Sequence, residues 1–144
     1  MIALRDDGTL WTWGGGVSAP TPFLGTAKWK AIAAGSDHSV ALREGGTLWT
    51  WGANNRGQLG VGSTTPRTGP QLILSSMRWK AIAAGGNNSA AIREDGTLWT
   101  WGDNEGGQIG NGSGGLGRYE PSPRLIETNT TWKRIATGGL HYIM

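Results

Sequence analysis

Apolar residues run along this chain in short bursts bounded by glycine, and the same bursts return. Gly8-Thr9-Leu10-Trp11-Thr12-Trp13-Gly14 recurs residue for residue at 46–52 and at 96–102. Trp29-Lys30-Ala31-Ile32-Ala33-Ala34-Gly35 recurs at 79–85 and, loosened to Trp-Lys-Arg-Ile-Ala-Thr-Gly, at 132–138. A third burst, Ser39-Val40-Ala41-Leu42-Arg43-Glu44, has counterparts at 89–94 and 1–6. The bursts are too short for helices, no longer window places apolar residues at i, i+3, i+4 and i+7, and Trp, Ile, Val and Thr favour strands. The pattern predicts an all-β chain.

Between bursts, Arg93-Glu94-Asp95-Gly96 reads as a hairpin turn, with Asp-Gly supplying the positive φ of a tight connection. Pro70-Gln71-Leu72-Ile73-Leu74 and its counterpart Pro123-Arg124-Leu125-Ile126-Glu127 supply a fourth short run, which we place ahead of the Trp-Lys burst. Four strands in a period of about 50 residues describe a propeller blade. Trp-Lys-Ala-Ile-Ala-Ala-Gly is apolar on both faces apart from its Lys, as a strand sandwiched between neighbouring blades must be. In this phase two complete blades fall at about 20–52 and 70–102. A third is split, its last two strands at the N-terminus and its first two at the C-terminus, where His141-Tyr142-Ile143-Met144 aligns with His38-Ser39-Val40-Ala41. The repeats run at about 1–38, 39–88 and 89–141 of one region over 1–144.

Composition narrows this picture. The 144 residues hold 26 Gly, 6 Pro and 9 Trp, and the period turns what would look like low complexity into turn and close-packing glycine. The nine Trp (Trp11, Trp13, Trp29, Trp49, Trp51, Trp79, Trp99, Trp101 and Trp132) all hold repeat positions and are expected to form the core between blades. The absence of Cys excludes disulfides, thiolate zinc sites and a cysteine nucleophile. A net charge of +3 without a basic run, and without interleaved surface aromatics, makes nucleic acid an improbable partner. No stretch is long and apolar enough for a membrane span, and Asp6 and Asp7 fall where a signal peptide would need an apolar core. The compartment stays open, with the cytoplasm as no more than a default.

The segments Ala-Ala-Gly-Ser-Asp-His38-Ser-Val-Ala-Leu, Gly-Thr-Leu-Trp-Thr-Trp-Gly and Trp51-Gly-Ala-Asn54-Asn-Arg-Gly57-Gln58-Leu59-Gly60-Val-Gly62 resemble the regulator of chromosome condensation repeat family. The resemblance covers nearly the whole chain. It implies a β-propeller, usually seven-bladed, and protein partners; some relatives exchange guanine nucleotide on a small GTPase and others bind chromatin. The residues conferring those activities lie outside the repeat motif and do not carry over. Two departures stand out. Only 16 positions separate Trp13 from Trp29, against 28 from Trp51 to Trp79 and 31 from Trp101 to Trp132, so the first period has lost about a dozen loop residues. His38 is replaced by Asn88 in the next period.

No catalytic constellation emerges. Gly57 to Gly62 and Gly107 to Gly112 mimic phosphate loops but neither opens a helix nor carries Gly-Lys-Ser/Thr. Gln58, Gln108, Asn54 and Asn104 are expected to bond loop backbone. Two His without a carboxylate cluster make no metal site, and His38 is expected to hydrogen-bond across its own blade. The acidic residues Asp6, Asp7, Glu44, Glu94 and Asp95 sit in turns beside Arg5, Arg43 and Arg93, unlike paired catalytic carboxylates. No cofactor is implied. What remains are the two long loops, about 53–69 and 103–121, with Asn54, Arg56, Arg67, Asn104, Glu105, Arg118 and Tyr119 as candidate partner-binding residues. The expected function is a non-enzymatic protein-binding module; the alternative is a guanine-nucleotide exchange regulator of a small GTPase. Because three blades do not close a ring, either further blades lie elsewhere in a longer chain or two copies form a six-bladed dimer.

Overall fold

In the computed structural model, which describes residues 1–139, every regular element is a strand. The first sheet holds β1 (Ile2–Leu4), β2 (Leu10–Gly14) and β3 (Val17–Phe23). The second holds β4 (Trp29–Ala34), β5 (His38–Arg43), β6 (Leu48–Gly52) and β7 (Arg67–Ile73). The third holds β8 (Trp79–Gly85), β9 (Asn88–Arg93), β10 (Leu98–Asp103) and β11 (Tyr119–Ile126). Each is an antiparallel meander in chain order. The all-β, blade-type architecture expected from the periodicity is therefore present, with two complete four-stranded blades and one incomplete one.

The phase of the blades differs from the sequence expectation. The Pro70 run does not lead into the next Trp-Lys strand; it lies in β7, where Leu72 faces Trp49 and Ile73 faces Leu48, and so closes the sheet it follows. The complete blades span 29–73 and 79–126, not about 20–52 and 70–102. Proline explains why. Pro20 and Pro22 in β3, Pro70 in β7, and Pro121 and Pro123 in β11 cannot donate to a ladder, so their strands belong at a sheet edge. For the same reason the N-terminal sheet has three strands instead of two, since Val17–Phe23 pairs with β2. It lacks only the innermost strand.

The sequence of that strand recurs at residues 132–137, which follow the last strand without forming a regular one. Trp132 N donates to Gly96 O at 2.8 Å, as Trp29 N does to Gly8 O and Trp79 N to Gly46 O, both at 2.9 Å. The segment thus stands where the first strand of a further blade begins. The remainder of the split blade, with His141 and Tyr142 to Met144, lies outside the described residues.

Neighbouring sheets pack face to face. One core joins Leu10 of the first sheet to Trp29, Ala41 and Trp51 of the second. A second joins Val40, Leu42, Leu48 and Ile73 to Trp79, Ala91 and Trp101 of the third. Only part of the Trp set is buried: Trp29, Trp51, Trp79 and Trp101. Trp11, Trp49 and Trp99 are half-buried because each indole N–H turns back to the hydroxyl of Thr9, Thr47 or Thr97, two residues away. Trp13 and Trp132 are also half-buried, at the two ends of the arc.

Candidate functional site

The long loops leave the sheets on one side, between the third and fourth strands of a blade, and each is built around a buried asparagine. Asn54 Oδ1 accepts from Leu59 N, while its Nδ2 donates to Ser63 O and Thr65 O. Asn104 repeats this: Oδ1 accepts from Ile109 N, and Nδ2 donates to Ser113 O. Both side chains are buried and bonded within their own loops, Asn104 Nδ2 also reaching Asn111 Oδ1 and Ser113 Oγ at 3.4 Å. Asn54 and Asn104 thus have the loop-bonding role expected from their turn context, and their side chains are buried within the loops. Gln58 and Gln108 stitch the same turns, their Oε1 atoms accepting from Arg56 N and Gly106 N at 2.8 Å.

The first long loop also grips the next blade. Gln58 O accepts from the Trp101 indole and from the Ser89 hydroxyl, both at 2.8 Å, and Gln58 Nε2 donates to Asn87 Oδ1. Gly62 N donates to Pro121 O. Two glycines permit this approach. A Cβ at Gly57 would meet Pro121 Cα at 2.5 Å, one at Gly60 would meet Trp101 Nε1 at 2.8 Å, and both have φ near +70°.

His38 belongs to this seam. Its Nε2 lies 2.8 Å from Ser89 Oγ, so the hydrogen bond expected across its own blade reaches the neighbouring blade instead. Ser89 spends its single proton on Gln58 O, which makes His38 Nε2 the donor and leaves Nδ1 unprotonated. Burial, only partly offset by the backbone of Asn88 and the negative charge of Asp37, pushes the imidazole down to about 4. It is neutral in the fold.

On the outer surface the two long loops meet. Arg56 and Glu105 pair at 2.8 Å, each about one-third exposed, and Glu105 Oε1 also accepts from Gly117 N at 3.0 Å. Arg118 and Tyr119 follow immediately and are exposed, beside the fully projecting Leu116. Arg67 opens β7, half-buried, opposite Gly52. Of the seven candidates, the structure thus joins Arg56, Glu105 and the 117–119 turn and leaves Arg67 at the base of the first loop. Sequence reasoning missed Ser89, Asn87 and Pro121 as inter-blade anchors. The paired Asn87-Asn88 departure marked their neighbourhood.

The geometry has relatives. In yeast, the regulator of chromosome condensation Prp20, seen bound to Kap60, superposes with a TM-score of 0.75 at 25% identity, over 96% of this chain and 37% of that one. A second structure, of Saccharomyces cerevisiae Prp20p, whose binding to Gsp1p and histones has been described, gives a TM-score of 0.78 at 25% identity, over 96% and 39%. Human WBSCR16 shares the fold at a TM-score of 0.83 and 22% identity, over 96% and 40%. The chain thus spans about two-fifths of the length of these neighbours. No curated protein sequence matches it significantly. The profile of the regulator of chromosome condensation (RCC1) repeat matches residues 45–92 and 95–144, and a second profile of the same repeat matches 29–58 and 79–108. With matches over more than half its length, the chain belongs to the regulator of chromosome condensation repeat family.

Proposed function

We propose that the chain is a non-enzymatic protein-binding module whose binding face is the joined surface of its two long loops. One observation carries this reading. The loops spend their buried polar side chains on their own backbone and are locked to each other by Arg56–Glu105, which leaves a preorganised surface with exposed Leu116, Arg118 and Tyr119 at its crest. A rigid loop loses little conformational freedom on docking, and an exposed aromatic next to an arginine is the composition of an interface anchor. Partner candidates come from the neighbours: one was seen with Kap60 and another was studied with Gsp1p and histones. Supported by that likeness, exchange of guanine nucleotide on a small GTPase is the second reading.

The test is titration calorimetry of the chain against histones, Kap60 and a nucleotide-free small GTPase. Tyr119→Ala and Leu116→Ser should weaken whichever complex forms by about tenfold or more, since hot-spot truncation costs roughly 1–2 kcal/mol. Binding that ignores both substitutions overturns the loop face. Accelerated nucleotide release from the GTPase selects the exchange reading.

A further inference from the structure

The first long loop is tied to the third blade chiefly through Gln58. Its carbonyl takes the Trp101 indole and the Ser89 hydroxyl, and its Nε2 donates to Asn87 Oδ1. His38 holds the middle of this chain of bonds: by donating to Ser89 Oγ, its Nε2–H keeps the hydroxyl proton of Ser89 on the Gln58 carbonyl.

The other ring nitrogen has nowhere to place a proton. His38 is 3% exposed, and its Nδ1 has no hydrogen-bond partner among the described residues. A Cβ on Gly35 would overlap the imidazole Cε1 and Nδ1 and lie 2.7 Å from Gly86 O, so backbone from two blades closes on that edge of the ring. The groups that favour a charged ring are the Asn88 backbone and Asp37, which neighbours His38 in the chain. From β6 the ring's residue meets Gly52, from the start of β9 Ser89, and from the first long loop the Gln58 carbonyl, none of which titrates. An imidazolium would therefore bury an unsatisfied N–H, a penalty relieved by opening the seam.

The loop is built to leave in one piece. Asn54 bonds Leu59, Ser63 and Thr65, and Gln58 Oε1 accepts from Arg56 N, so these internal bonds survive when the bonds across the seam break. β5 and β9, by contrast, are interior strands of four-stranded sheets.

We propose that His38 is an acid-operated latch: a proton on its Nδ1 releases the first long loop from the third blade while both blades stay folded, and the Arg56–Glu105 pair parts with it. The direction follows from linkage. Burial holds the closed ring down at about 4, whereas a ring freed to solvent returns to its ordinary 6.5, so the opening equilibrium should rise roughly tenfold per pH unit as pH falls between these values. The earlier seam, where only Gly15 and Gly16 join β2 to β3, has no loop to release and is the internal control.

Hydrogen exchange followed by NMR on the 144-residue chain tests this. Protection of the Trp101 indole N–H and the Gly62 amide, which bond across the later seam, is expected to fall by that factor, while the Trp29 amide on Gly8 O keeps its protection. His38→Asn should flatten the dependence. In the unsubstituted chain, ring nitrogen shifts of His38 should show the Nε2–H tautomer at neutral pH and record proton uptake in step with the lost protection. That reading needs no variant to fold. Protection indifferent to pH, equal loss at both seams, a slope that survives His38→Asn, or a His38 ring that titrates while Trp101 and Gly62 stay protected overturns the proposal.

Discussion

The seam between the first and second blades and the seam between the second and third solve one packing problem with different means. In both, a Trp of the third strand faces the preceding blade. At the later seam the 14-residue connection between β6 and β7 bends over the junction and supplies a fully buried Leu59 and a carbonyl, that of Gln58, to both Trp101 and Ser89, whose hydroxyl also receives His38. At the earlier seam only Gly15 and Gly16 separate β2 from β3, and no such loop exists. Trp51 is covered instead by Phe23 and by Trp29, 6.2 Å away between ring centroids. The long loop is thus not required to bury the Trp. What it adds is a polar, directional lock, and with it a surface that a partner can read.

The sharpest way to separate the seams is acid, because only the later one holds His38. A histidine held neutral by burial binds fewer protons folded than unfolded between its folded value of about 4 and its ordinary value of 6.5. Stability is therefore full above about pH 6.5 and falls as pH drops toward 4, by at most about 3 kcal/mol. Denaturant midpoints across that range should show this slope, and His38→Asn, the residue its repeat counterpart Asn88 carries, should abolish it. Asp7 and Asp95 are also held below the usual carboxylate range, chiefly by the Thr9 and Thr97 hydroxyls. Their contribution is lost only at lower pH, so it does not counterfeit the histidine window. A slope that survives His38→Asn would place the titration elsewhere.

A smaller difference should appear between the two buried indoles. Trp51→Phe removes ring volume from an apolar contact and is expected to cost about 1–2 kcal/mol. Trp101→Phe removes the same volume and also the donor to Gln58 O, so it should cost about 1 kcal/mol more. Equal costs, measured by denaturant unfolding of both variants, would mean that the loop carbonyl contributes nothing net to the seam.

The contrast also shows what a single sequence can disclose. Trp-Thr-Trp flanked by glycine, the Asp95-Gly96 turn and the near-50-residue period were enough for strands, hairpins and blade type, because these depend on local pattern. The blade phase was misplaced because strands apolar on both faces do not say which neighbour they pair with. Yet Pro20, Pro22, Pro70, Pro121 and Pro123 carried the answer, since a residue without an N–H marks an outer edge. The loop-building role of Asn54 and Asn104 was legible from their turn context. The bond from His38 to Ser89 was not, because it depends on how one repeat leans on the next, a curvature no local pattern encodes.

The smallest effect belongs to the outer clasp of the later seam, Arg56 with Glu105. Both side chains are about one-third exposed, so solvent screening should hold their coupling below about 1 kcal/mol in a double-mutant cycle, shrinking as salt is raised. The two single variants should not be equal. Arg56→Ala removes one ion-pair partner, whereas Glu105→Ala also deprives Gly117 N of its acceptor and loosens the turn that carries Arg118 and Tyr119. Glu105→Ala should therefore weaken partner binding more than Arg56→Ala while their stabilities differ by only a few tenths of a kcal/mol. If the two variants bind alike, the clasp merely closes the seam, and the shape of the loop crest does not depend on it.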